Sequence, residues 1–182
     1  AASAAAEQAR LLEAERQAKI VSWNQPLNSE TGTVWSENIT EILGLPPECV
    51  SNDAAFLSYV HAEDRERVRS EFARATENPE PYEIDYRFVR PNGRTIWLRS
   101  TAKIHLDKER PGSRLIGTNQ DITAQKTVEL ALRESKLHLH AAQRRARMAY
   151  WTWDIAAGES YVWSDEAADI LGFHYVDKMR FV

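Results

Sequence analysis

The sequence predicts an α+β domain: a five-stranded antiparallel sheet with helices on one face, flanked by long N- and C-terminal helices. Three observations predict it. All seven Pro lie between Pro26 and Pro111, so turns belong to the middle and the flanks are permissive for helix. Residues 81–122 carry strand chemistry interrupted by two turns. Two short strands and several short helices precede them. Three consecutive antiparallel strands after those helices, added to the two at the start, make five.

Residues 3–19 are rich in Ala, Glu, Gln, Arg and Leu, a helix by propensity. Residues 19–24 and 33–36 read as strands around a turn-like stretch at 28–32. Ser36 is a candidate N-cap for a helix over 37–43, which Gly44 stops and Pro46-Pro47 forbids from continuing. Asp53 is a candidate cap for a short helix ending at Tyr59. Residues 63–77 place Val68, Phe72 and Ala75 on one helix face. Tyr82, Ile84, Tyr86 and Phe88 then alternate with Glu83, Asp85, Arg87 and Val89, the period of a strand. Pro91-Asn92-Gly93 is a hairpin turn, since Asn and Gly tolerate positive φ. Residues 95–105 form the return strand, 108–112 a second turn and 114–122 a third strand. Thr123 is a candidate cap for a helix over 124–148, about 37 Å long. Along it Val128, Leu132, Ser135, Leu139, Ala142, Ala146 and Ala149 follow the spacing of a thin heptad seam.

Composition narrows the function classes. At 43 % hydrophobic and 27 % charged, the 182-residue chain can bury a core. A net charge of −4 argues against a nucleic-acid partner. Arg144, Arg145 and Arg147 read as a solvated helix face. A single Cys excludes an internal disulfide and a Cys-rich zinc site. No apolar run approaches the roughly 20 residues of a membrane helix, so no membrane contact is expected and the location is read as cytoplasmic. Without an initiator Met or a signal-peptide pattern, the chain reads as part of a longer one, which leaves an upstream membrane segment open.

Shifted by 128 residues, the sequence matches itself: Trp23 falls on Trp151, Val34-Trp35-Ser36 on Val162-Trp163-Ser164, Glu37 on Asp165, and Ile42-Leu43-Gly44 on Ile170-Leu171-Gly172. The chain is therefore read as an N-terminal helix (1–18), a complete domain (19–124), a connector helix (125–148) and the start of a second copy (149–182).

These pieces resemble the PAS sensor domain, in its subgroup with a tryptophan-rich first strand. Trp23, with Trp151-Thr152-Trp153-Asp154 in the second copy, resembles that opening. Trp35-Ser36 and Ile42-Leu43-Gly44 are similar to its second strand and first helix. Val60-His61-Ala62-Glu63-Asp64-Arg65 resembles its Val-His-Pro-x-Asp-Arg, with Ala62 in place of Pro. Tyr86-Arg87, Asn92-Gly93 and Ile96-Trp97 are similar to its paired C-terminal strands, and Asp121-Ile122-Thr123 to its closing Asp-Ile-Thr.

The resemblance implies a sensory or regulatory module that relays a signal through the connector helix and pairs as a homodimer. The parent protein would be a sensor histidine kinase or a diguanylate cyclase or phosphodiesterase. It also implies a pocket between sheet and helices, lined here by Asn119, Tyr86, Phe88, Leu98, Phe56 and Ile39, for a possible small-molecule ligand. Asp121 and Thr123 would form the signal junction. Trp97, Val128, Leu132 and Leu139 would pack helices or the dimer, with the N-terminal helix of this chain or of its mate over Trp97. The alternative reading is a non-sensing dimerisation spacer whose large core residues fill the space.

No cofactor is the leading expectation. Residues 50–57 lack the Asn-Cys-Arg-Phe-Leu-Gln motif of covalent flavin photochemistry, and Cys49 lies in a Pro-Pro-Glu-Cys turn. Non-covalent flavin and haem are the remaining cofactor alternatives. Haem would draw on His61 or His105 as an axial ligand. His138 and His140 are two apart on a helix and do not share a face, so no metal site is expected. No triad order, phosphate-cradling glycine loop or His-Glu-x-x-His occurs, and no catalysis is expected of these residues.

Overall fold

The computed structural model describes residues 2–27, 32–46, 53–77, 80–106, 113–154, 160–163, 167 and 170. The turns expected at 28–32 and 108–112, the Cys49 turn, the Asp53 cap and the pairing of Leu171-Gly172 with the first copy lie wholly or largely outside these residues. The chain divides into two compact units, Ala1–Lys126 and Thr127–Val182.

In the first unit, helix α1 (Ala2–Ala18) leads into β1 (Ile20–Pro26) and β2 (Val34–Trp35). Three helices follow: α2 (Ile39–Leu43), α3 (Asp53–Tyr59) and α4 (Arg65–Glu77). Strands β3 (Tyr82–Val89), β4 (Thr95–Leu106) and β5 (Ser113–Asp121) complete an antiparallel sheet in the order β2-β1-β5-β4-β3. The first and last strands of this sheet in chain order thus meet at its centre, which places the start of the exit helix α5 (Thr123–Arg145) beside the end of α1. There the Asp121 N–H donates to Lys19 O at 3.0 Å.

The period of two in β3 decides which face is buried. Tyr82, Ile84, Tyr86 and Phe88 are buried, and Ile96 and Leu98 of β4 stand on the same face. The helices lay Ile39, Leu43, Phe56, Val68 and Ala75 against them, with Phe72 packed on the edge. The core is aromatic. Phe56 stacks on Trp35 at 5.4 Å and contacts Phe88 at 5.5 Å, while Phe72 meets Tyr82 edge-on at 5.8 Å. Such pairs add about 0.5–1.5 kcal/mol each beyond their area burial.

The Pro91 turn forms as the sequence predicts. Gly93 takes φ +80° and donates to Arg90 O at 2.8 Å, and Asn92 Oδ1 accepts the Arg94 N–H at 3.0 Å. Gly44 ends α2 at φ +75°.

Three local expectations are corrected. Ser36 does not cap α2. It extends the strand ladder, its N–H donating to Ser22 O at 2.8 Å and its Oγ accepting the Ser22 N–H at 2.9 Å, so α2 begins only after a turn. Asn38 holds the cap position without a side-chain cap bond and ties α2 to β1 through Nδ2 to Ile20 O at 2.8 Å. The helix expected from residue 63 begins at Arg65, because Glu63 and Asp64 sit in the preceding turn. Helix α5 ends at Arg145 rather than Met148. Arg147 enters the left-handed region at φ 50°, and the Met148 N–H turns back to Gln143 O at 2.9 Å, which unwinds the last turn. Ala146 and Ala149 therefore lie past the helix.

The second unit contains β6 (Trp151–Asp154) and β7 (Ser160–Trp163), paired antiparallel with Trp151 opposite Trp163. That register equals the pairing of Trp23 with Trp35 in the first unit.

Candidate functional site

The six residues proposed from sequence to line a pocket all lie in the buried interior. Ile39, Phe56, Tyr86, Phe88 and Leu98 belong to one core cluster. Asn119, 1 % exposed, is one of the few buried polar residues. β5 aims it inward because Leu115, Gly117 and Asn119 alternate with outward Ile116 and Thr118. Its Oδ1 accepts the Tyr86 hydroxyl at 3.1 Å, and its Nδ2 is buried without a partner. Ser100, opposite Asn119 on β4, lies 3.4 Å from the Tyr82 hydroxyl. Burial pushes the Tyr86 phenol well above its usual range, with a smaller push from Tyr82 and an opposing hydrogen bond from Ser100. The phenol therefore stays protonated and serves as a fixed donor. Trp23 Nε1 is a second buried donor without a partner, and its ring lies over Gly117.

A concavity of about 430 Å3 lies elsewhere on the sheet, lined by residues including Glu83, Thr101, Lys103, Ile116 and Thr118, and Asn119 does not line it.

Haem would require an axial ligand in the interior. His61 is only partly buried, with Nδ1 accepting the Glu63 N–H at 3.4 Å, and His105 is exposed. Neither fits. Among the described residues no cluster of His, Cys, Asp and Glu could hold a metal ion.

The motif around His61 has a mechanical role. Asp64 Oδ2 accepts both the backbone N–H and Nε of Arg87 at 2.9 Å, and Arg65 Nε donates to Val60 O at 2.9 Å. Together they dock the start of α4 on β3.

The signal junction is built differently from the sequence expectation. The oxygen that receives the first helical N–H is on Asp121: its Oδ1 accepts the Thr123 N–H at 2.9 Å. Thr123 is not the cap. Its Oγ1 accepts the Trp97 N–H of β4 at 3.0 Å and donates to Asp121 Oδ1 at 2.5 Å. The Ile122 N–H donates to Trp97 O at 2.9 Å, so both backbone groups of Trp97 hold the exit.

Sequence reasoning missed Arg90. From the hairpin its guanidinium reaches Asp121 Oδ2 at 3.3 Å and also donates to Ile42 O near the end of α2. One side chain thereby joins the helix that carries Ile39 to the carboxylate that starts α5. The available signal was weak: an Arg beside a Pro-Asn-Gly turn, with partners remote in sequence.

The residue found over Trp97 is Lys126 of α5, its Nζ 5.6 Å from the ring centroid. The N-terminal helix of the same chain is anchored elsewhere, through Arg16 to Glu41 at 3.2 Å and through Ala18 O, which accepts Gln120 Nε2 at 3.3 Å; the mate's helix remains an expectation for Trp97. On α5, Val128, Leu132 and Leu139 are all more than half exposed within this single chain, and no residue of the helix is buried.

Comparison with known proteins matches this architecture. Residues 33–119 match the family model described as the PAS fold. The chain is 30 % identical over 107 residues to the sensor protein FixL of Bradyrhizobium diazoefficiens, covering 59 % of this chain and 21 % of that protein. It is 27 % identical over 106 residues to the probable diguanylate cyclase DgcE of Escherichia coli, covering 58 % of this chain and 10 % of that protein. The chain thus spans about a fifth of one of these curated relatives and a tenth of the other. Among solved structures it resembles a sensory box histidine kinase/response regulator from Burkholderia thailandensis, with TM-score 0.56 and 23 % identity over 72 % of this chain and 98 % of that one. It also resembles the N-terminal domain of a diguanylate cyclase with PAS/PAC sensor from Marinobacter aquaeolei, with TM-score 0.53 and 22 % identity over 59 % of this chain and 98 % of that one. With its five-stranded antiparallel sheet and the family match over residues 33–119, the first unit has a PAS-like fold.

Proposed function

We propose that the first unit is the non-catalytic sensory module of a longer, cytoplasmic signal-transduction protein, and that α5 carries its output. The carrying observation is the junction in which Arg90, Asp121 and Thr123 join α2, β4 and the first turn of α5. A change in the interior that moved α2 or β5 would alter the bonds that start the exit helix. The names of the relatives, a sensor protein and a probable diguanylate cyclase, support a signalling parent, and the second supports a cyclase as its output. A small molecule bearing a hydrogen-bond acceptor suits the unpaired Asn119 Nδ2. Exposed Val128, Leu132 and Leu139 at heptad spacing support pairing of two α5 helices. The matching Trp–Trp registers support a second copy of the same unit beginning at residue 149.

A specific observation favours a second reading. The ring contacts of Phe56 with Trp35, Tyr86 and Phe88 occupy the space between helices and sheet, as a filled dimerisation spacer requires.

Native mass spectrometry combined with an absorbance spectrum of the freshly purified chain distinguishes these. The sensory reading predicts paired chains that release a bound small molecule on denaturation, and Leu132→Asp combined with Leu139→Asp returning them to monomers. Paired chains with no bound mass would favour the spacer. A monomer with no bound mass would contradict both.

A further inference from the structure

Beyond the Asp121 junction, α5 is held to the domain at a second point, one turn further on and on the opposite face of the sheet from Asn119. Lys126 Nζ lies 3.0 Å from Asp85 Oδ2 and over the ring of Trp97. Asp85 is already clamped by Arg99, with Nε to Oδ1 at 2.7 Å and Nη2 to Oδ2 at 3.0 Å. Arg67 Nη2 donates to Asp85 O at 2.9 Å, which brings α4 to the same spot. The carboxylate is thus shared by two cations, and Arg99 has Glu83 Oε1 at 3.5 Å as a further partner.

We propose that Lys126 is a positioning residue, and that its contacts with Asp85 and Trp97 form a releasable latch that holds the first turn of α5 on the sheet. Two features make it releasable. When Lys126 departs, Arg99 still neutralises Asp85, so no uncompensated buried charge remains, the circumstance that makes breaking most buried pairs costly. The ammonium itself, on a flexible stem, is readily rehydrated. The Asp121–Thr123 junction fixes where the helix begins, and the Lys126 contact adds an anchor one turn further on. This latch acts whether or not a ligand occupies the interior, so its failure would leave the sensory reading untouched.

Hydrogen exchange of the ligand-free full chain tests it. Lys126→Gln keeps the helix-compatible stem and loses the charge. The amides of residues 126–130 should then exchange about three- to tenfold faster, the range expected from losing one partly exposed ion pair and one cation–π contact. The α4 amides and the melting temperature should stay near those of the unaltered chain. Lys126→Arg should restore slow exchange, since a guanidinium can both pair with Asp85 and stack on Trp97. The proposal is overturned if Lys126→Gln leaves residues 126–130 unchanged, if α4 accelerates equally, or if Lys126→Arg fails to restore protection.

Discussion

Gly117→Ala should destabilise the first unit by about 3 kcal/mol, at the upper end of ordinary overpacking. A Cβ at this position would stand 2.4 Å from Trp23 Cζ2 and 2.5 Å from the Thr101 carbonyl oxygen. Neither can yield easily: Trp23 is 3 % exposed and wedged against Trp35 and Phe72, and the carbonyl belongs to the central strand pair. The need for glycine is spatial, since the conflict is with neighbouring atoms and not with a left-handed backbone. Urea unfolding followed by tryptophan fluorescence should show the midpoint falling by about 1–2 M at an ordinary slope for a domain of this size. Trp23→Phe in the same chain should recover only part of the loss, because the contact with the carbonyl remains.

Asp64 carries the second large effect. The hydrogen bond from Arg87 outweighs burial and lowers its carboxyl from 3.8 to about 2. A folded-state value below the unfolded one stabilises the fold at pH above about 4, and that contribution is lost as pH falls toward 2. The shift corresponds to about 2 kcal/mol at neutral pH. Asp64→Asn should lower urea-measured stability at pH 7 by a similar amount and flatten the loss of stability between pH 4 and pH 2. An unaltered acid profile in Asp64→Asn would show that another carboxylate governs the transition.

Much of this fold was legible because its signals are local. Tyr82, Ile84, Tyr86 and Phe88 declare their shared face by alternation, Asn92-Gly93 declares the hairpin by its tolerance of positive φ, and Val68 and Ala75 declare the buried side of α4. Asn119 was reached only through the family resemblance, and β5 does turn it inward. What was not legible depends on side chains that reach across the fold. Ser36 looks like a helix cap until its N–H and Oγ are seen on the ladder to Ser22. Thr123 looks like one until its hydroxyl is seen on Trp97. Arg90, Arg87 and Lys126 have partners tens of residues away, and nothing in their neighbours names Asp121, Asp64 or Asp85. The end of α5 was misplaced because no Gly or Pro marks it: an arginine takes the left-handed conformation instead.

The sensory account rests on one physical link, from the inward face of β5 to the start of α5. Asn119 and Asp121 lie two residues apart on that strand, the first bonded to Tyr86 and the second to Thr123 and Arg90. Tyr86→Phe removes only the hydroxyl that Asn119 accepts, leaving the ring packing in place. The direct measurement is the set of backbone amide chemical shifts of the full chain with and without this substitution. The account predicts that changes spread from Tyr86 and Asn119 to Asp121, Ile122, Thr123 and the following turn of α5, while the outer end of α4 stays still. Changes confined to the immediate surroundings of Tyr86 and Asn119, with Asp121 and α5 unmoved, would contradict it.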